Sequence, residues 1–222
     1  PGWEEVAKRV ESNGEEFIMG NPTVSPRSSM TKEMARAITG GALNLQAVSL
    51  EGVRAAVAKV QEKFAPKEME LLQFRGEPYF IAYQPPVNSA EAERWNANNS
   101  INAFNLPQDN SHVFISLRYP GNGLLTAFSK DAMEQASREA MPKVPMIASE
   151  WLTAEDDYYH QTTATFELGR HKPAYVFPVL RVRYADADET WLYFTPSLGQ
   201  MVKFDSRDRA NRWWYYSLHA MD

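Results

Sequence analysis

The stretch "SLEGVRAAVAKVQEKFAPKEMELLQFRGEPYFIAYQ" (residues 49–84) sets one amphipathic segment against two alternating ones. Ser49 is a helix-capping residue, and Val53, Val57, Val60 and Phe64 recur behind it at helical spacing. Pro66 closes that pattern, because a proline cannot continue a helix. Beyond it, "EMELLQF" and "PYFIAYQ" carry the period-two alternation of strands, with Arg75-Gly76-Glu77 between them as the turn. A helix followed by a β-hairpin is therefore predicted.

The same order starts again 80 residues later, at "SKDAMEQASREAM" (129–141). Ser129 is the cap, Ala132, Met133, Ala136 and Ala140 form the stripe, and Pro142 ends it. "MIASEWLT", "YYHQTTATFEL", "YVFPVLRVRYA", "TWLYFT" and "QMVKF" follow as strands rich in β-branched and aromatic residues, with turns at 186–188 and 196–199. Helix then strands, twice over, points to an internal repeat and an α+β fold in which each helix lies on an antiparallel sheet.

The remaining segments read as connections. "TKEMARAI" predicts a short helix stopped by Gly40-Gly41, and "HVFISLRY" with "GLLTAF" predicts a hairpin around Pro120–Gly123. Those two glycines are not a phosphate loop, since no helix and lysine follow in the required places. Residues 84–111, with Pro85-Pro86, Pro107 and Asn96, Asn98, Asn99 and Asn102, form a long loop whose plainest role is turn chemistry.

Composition excludes several classes of function. The 222 residues carry a formal net charge of −5, which is the wrong sign for a nucleic-acid footprint. Cysteine is absent, so thiol nucleophiles, thiolate metal sites and disulfides are all ruled out. The four histidines, His112, His160, His171 and His219, show no zinc-binding spacing, and no metal or cofactor is expected. No serine lies in Gly-x-Ser-x-Gly, and no catalytic residue is assigned. The nearest metal-like cluster, Asp156, Asp157 and His160, is explained as well by an acidic turn entering a strand. In that strand Asp156 and His160 share a face with Tyr158 between them, and Tyr158 and Tyr159 point to opposite faces. Tyr158, Tyr159, Asp156 and His160 are the candidate binding residues.

The last stretch, "SRDRANRWWYYSLHAMD" (206–222), places four consecutive aromatics behind three arginines. On a helix Trp213, Trp214, Tyr215 and Tyr216 point to nearly every side, which no single buried stripe accommodates. Trp and Tyr concentrate at membrane interfaces, and Arg209 and Arg212 are placed to reach lipid phosphates beside His219. The segment 205–222 is therefore expected to be a juxtamembrane helix leading into a membrane span beyond Asp222.

Asp157-Tyr158-Tyr159, "FPVLRV" (177–182), "TWLYFTPSLGQ" (190–200) and "RANRWWYYSLH" (209–219) together resemble the consecutive signatures of the PepSY-associated transmembrane-helix family. The resemblance covers residues from about 157 to the end, with only the order of elements shared over 49–128. The family's Asp-Pro-x-Thr-Gly turn reads Thr195-Pro196-Ser197-Leu198-Gly199 here, without its carboxylate. The resemblance implies two tandem PepSY-like modules, at 49–128 and 129–204, behind an N-terminal segment at 1–48 and followed by the C-terminal aromatic helix. It also implies an extracytoplasmic region of a bacterial inner-membrane protein, non-catalytic, binding or regulating a peptidase or another envelope protein. A sensory or accessory domain of an iron-uptake or reductase-like membrane protein is the alternative.

Overall fold

A computed structural model describes residues 30–43, 45, 46, 48–66, 68–84, 112–156, 158, 159 and 177–211. The fold is α+β with two antiparallel sheets. Helix α1 (Lys32–Thr39) comes first, followed by α2 (Leu50–Gln61), β1 (Glu68–Phe74), β2 (Glu77–Tyr83) and β3 (His112–Ser116). Then come α3 (Lys130–Ala140), β4 (Met146–Leu152), β5 (Val179–Tyr184), β6 (Trp191–Thr195) and β7 (Gln200–Phe204). Both sheets are meanders, ordered β1-β2-β3 and β4-β5-β6-β7.

Each helix begins where a hydroxyl accepts from a backbone N–H of the first turn. Thr31 accepts from Met34, Ser49 from Gly52 and Ser129 from Ala132, at 3.2, 2.9 and 3.2 Å. Each such cap contributes about 1 kcal/mol. The stripe of α2 differs slightly from the reading above. Ala56 and Val60 are buried and Val53 and Phe64 pack beside them, whereas Val57 lies outside that cluster.

The β1–β2 hairpin turns on Arg75 (φ 52°) and Gly76 (φ 80°), both left-handed, as a two-residue hairpin requires. That turn also closes the end of α1. Arg75 and Gly76 donate their N–H groups to Ile38 and Thr39 carbonyls at 2.8 and 2.7 Å, and buried Gln73 donates its amide to Thr39 and Gly41 carbonyls. The approach leaves no room for a side chain at Gly40 (φ 80°), where a Cβ would stand 2.0 Å from the Gly76 nitrogen.

Residues 112–128 depart from the predicted hairpin. Strand β3 forms, but Pro120–Asn122 is a 3-10 turn and "GLLTAF" joins β3 through a single bridge, Phe114 to Leu125. The glycines and Pro120 favour turn geometry, and the chain then leaves the sheet so that Phe128 enters the core. The pair Tyr158-Tyr159 departs as well. It follows a bend rather than a strand, for reasons of hydrogen bonding given below, and the rest of that predicted strand lies outside the described residues.

Three clusters stack through the molecule. Helix α2 covers one face of the first sheet over Ala82, Val113 and Ile115. The opposite face, with Leu72, Phe74, Ile81 and Phe114, shares one core with α1, α3 and the inner face of the second sheet, Leu180, Val182, Leu192 and Phe194. The outer face of the second sheet builds a third cluster from Val179, Tyr193, Val202, Phe204 and Tyr159. Helix α1, from the N-terminal segment, thus lies in the core common to both sheets.

Polar ties reinforce that junction. Arg75 forks onto the Glu139 carboxylate of α3 while also donating to the Ala37 carbonyl, and the Tyr184 phenol donates to the Ser137 carbonyl. Its hydrogen bond with Arg75 holds the Glu139 carboxyl below the ordinary glutamate value. A carboxylate lowered in this way stabilises the fold above about pH 4.3 and ceases to do so as pH falls through its lowered value.

Two outcomes follow from this geometry. Gly40→Ala is expected to cost about 2–4 kcal/mol, combining left-handed strain with a backbone collision, read from urea unfolding midpoints. Glu139→Gln is expected to lower the urea midpoint at pH 7, and the difference from wild type is expected to shrink as pH falls through the lowered value of the Glu139 carboxyl.

Candidate functional site

The outer face of the second sheet gathers the chemistry. Alternation along β5 sends Val179, Arg181 and Arg183 outward, and along β6 it sends Trp191, Tyr193 and Thr195 to the same side. Arg183 stands opposite Trp191, and Arg181 opposite Tyr193. On β4, Glu150 stands opposite Arg181.

Asp156 organises this face from the loop after β4. Its Oδ1 accepts the backbone N–H groups of Tyr158 and Tyr159 at 2.9 and 2.6 Å, and its own N–H donates to the Tyr159 carbonyl at 3.2 Å. An aspartate that satisfies the two following N–H groups makes a tight turn, which is why this segment is not a strand. Oδ2 accepts from Arg181 and from the Tyr193 phenol at 2.8 Å. Burial pushes the Tyr193 phenol up, and the adjacent Asp156 charge pushes it further, so it remains a neutral donor. Burial of Arg181 disfavours its charge, yet hydrogen bonds to Glu150 and Asp156 outweigh that effect and raise its pKa.

Tyr159 is buried, stacks on Tyr193 with ring centroids 5.1 Å apart, and shares a 2.8 Å hydrogen bond with the Thr195 hydroxyl. It is a packing residue. Tyr158 is half-buried, edge-on to Trp191 at 5.2 Å. The Trp191 ring has the guanidiniums of Arg181, Arg183 and Arg209 at 5.3, 5.4 and 4.9 Å from its centroid, a cation–π arrangement.

Of the sequence-predicted residues, Asp156, Tyr158 and Tyr159 are thus brought together, and His160 lies outside the described residues. Arg209 sits in the short helix 206–211, which opens with Asp205 and Asp208 each accepting the other's backbone N–H. Its guanidinium donates to the Glu189 carbonyl and carboxylate at 2.8 and 2.9 Å and covers Trp191, leaving its side chain 10% exposed. Arg212, Trp213, Trp214, Tyr215, Tyr216 and His219 lie outside the described residues.

Arg181, Arg183, Trp191 and Tyr193 were not among the predicted site residues. Their signal was present in "LRVRY" and "TWLYF", where residues two apart on neighbouring strands must share a face. Among the described residues no group of three or more His, Asp or Glu side chains is placed to hold a metal ion. The arrangement suits recognition: flat aromatic surface, fixed cations and a rigid sheet beneath them.

Searches of the chain against protein-family models, curated proteins and solved structures return no match.

Removing Asp156 separates its two tasks. Asp156→Ala is expected to cost about 3 kcal/mol, because two backbone donors and Arg181 lose their acceptor together. Asp156→Asn retains an acceptor for the turn and is expected to cost about half as much, with both values measured by chemical denaturation.

Proposed function

We propose that the chain is a non-catalytic, extracytoplasmic region of a bacterial inner-membrane protein, built of two tandem PepSY-like modules, that binds or regulates a peptidase or another envelope protein. The observation that supports this reading is the twofold recurrence of a capped helix laid on an antiparallel meander, α2 with β1-β2-β3 and α3 with β4 to β7. In this reading the helix that begins at 206 continues through the aromatic tail as a juxtamembrane element.

Binding has two surfaces to use. Among the described residues no strand pairs with the outer edge of β4, where Met146 and Ile147 are 42% and 63% exposed. Such an edge accepts an added strand through its backbone hydrogen bonds. The second surface is the aromatic and cationic face around Trp191. The carboxylates nearest that face are engaged by arginines and by backbone N–H groups.

The test is a photo-crosslinking residue at position 147 of the protein in its native membrane, combined with protease accessibility in spheroplasts. The expected result is a discrete envelope partner and cleavage from the extracytoplasmic side. Protection in spheroplasts, absence of any specific adduct, or peptide or ester turnover that survives repurification and is lost on mutating one residue would overturn the reading.

A further inference from the structure

Three guanidiniums crowd one indole on the outer face of the second sheet, and they are not equally provided for. Arg181 holds the carboxylates of Glu150 and Asp156. Arg209 holds Glu189. Arg183 holds none: no carboxylate among the described residues pairs with it, and its Nε is buried without a hydrogen-bond partner.

The strand register explains the difference. Across β4 from Arg181 stands Glu150, but across from Arg183 stands Ala148, at the point where the β4 register shifts. A methyl group therefore occupies the position from which a carboxylate would answer Arg183. On its other side the neighbour is Trp191, whose ring attracts the cation without neutralising it. Arg183 is half-buried, so part of its hydration is already lost while its charge stays reachable from solvent. The buried Nε is closed to solvent, so a ligand would meet only the terminal N–H groups of the guanidinium.

We propose that Arg183, beside the Trp191 ring, is a binding site for a carboxylate group brought by a ligand. This deepens the preceding reading by naming the chemistry of the partner, and rests on it in taking this face to be a binding surface. A guanidinium presents parallel N–H donors that match a carboxylate, and Trp191 with Tyr158 offers flat apolar surface to whatever carries it. The charge balance selects the class. The three arginines and the carboxylates Glu150, Asp156 and Glu189 leave the face without net charge, but Arg181 takes two of those carboxylates and Arg209 the third. Among the described residues Arg183 therefore has no counter-ion of its own, and a singly charged ligand adds the least charge. A dianionic phosphate would meet three carboxylates within the same neighbourhood, and its second charge would have no cation of its own.

Two sources supply this group, an acidic protein segment and a small organic acid. The probes are a fluorescein-labelled octapeptide carrying one Glu among Val and Ser residues, its Gln counterpart, and acetate, applied to the whole protein at low ionic strength, where such contacts are least screened. Anisotropy is expected to show saturable binding of the Glu peptide, with the Gln peptide weaker by roughly tenfold. Arg183→Gln is expected to bring the Glu peptide down to the level of the Gln peptide, and Arg183→Lys to fall between, since it keeps the charge and loses the fork. Competition by acetate at the same site supports a small-acid ligand, and peptide binding without such competition supports a protein segment. Equal binding of the Glu and Gln peptides, no binding of either probe, or an Arg183→Gln variant of unchanged affinity would overturn the proposal. If that variant fails to fold, the Glu and Gln comparison on the unaltered protein decides alone. Equal binding of the Glu and Gln peptides by a protein that still crosslinks an envelope partner would remove the carboxylate site and leave the envelope reading standing. Carboxylate binding without any envelope partner would do the reverse.

Discussion

Phe128 holds the two sheets to one another. Its ring stacks on Phe74 with centroids 3.9 Å apart, meets Phe114 at 4.6 Å and stands edge-on to Tyr79 at 5.1 Å, all three from the first sheet. Its backbone N–H donates to the Pro196 carbonyl at 3.0 Å, and its ring lies so close to Gly199 that a Cβ there would stand 2.6 Å from it, both contacts being with the β6–β7 turn of the second sheet. Burial of one phenylalanine is worth about 1.5–3 kcal/mol, and aromatic pairing adds to that. Its position has a larger effect than its energy. With Phe128 seated, the next residue, Ser129, caps α3, and the inner faces of both sheets close over a common core.

A common core makes the two halves mechanically dependent. The first sheet is covered on one side by its own helix, α2, but its other side is finished by α1, α3 and the inner face of the second sheet. Arg75 repeats the connection at the surface, since its left-handed turn closes α1 while its guanidinium reaches α3. The second sheet consequently has a rigid inner face. Its outer face is packed as well, with Val179 and Tyr193 fully buried in the third cluster, so the side chains around Trp191 rest on a fixed support.

On that outer face the polar network explains both what is sealed and what is left. Asp156 satisfies two backbone donors, a phenol and a guanidinium, so it acts as the bracket that pins the loop carrying Tyr158 and Tyr159 onto the sheet. Tyr159 is consumed by that packing, whereas Tyr158 stays at the edge of the Trp191 ring. Arg209 arrives from the other end of the sequence and closes a further side of the same ring. Among the described residues the arginine of this face without a counter-charge is Arg183, and its position follows from a register shift in β4 rather than from any property of arginine itself.

Much of the architecture was legible from local pattern alone. Serine before an apolar stripe located α2 and α3, because a cap satisfies orphan N–H groups within a few residues, and Gly40-Gly41 marked the end of α1. Period-two alternation located β1 and β2, β-rich composition located β4 to β7, and Arg75-Gly76 located the tight hairpin. The reading failed where the deciding partner lay far along the chain. "GLLTAF" alternates well enough for a strand, yet it leaves the sheet because Phe128 has a better place against Phe74 and Gly199. Tyr158-Tyr159 has strand composition, yet Asp156 draws it into a turn and Arg181, 25 residues on, holds Asp156 there. Sequence by itself thus determined the elements, since their causes are short-range: capping, periodicity and turn stereochemistry. Tertiary structure alone decided the shared core, the Asp156 bracket and the unanswered charge of Arg183, because each arises from contacts between residues that only folding brings within reach.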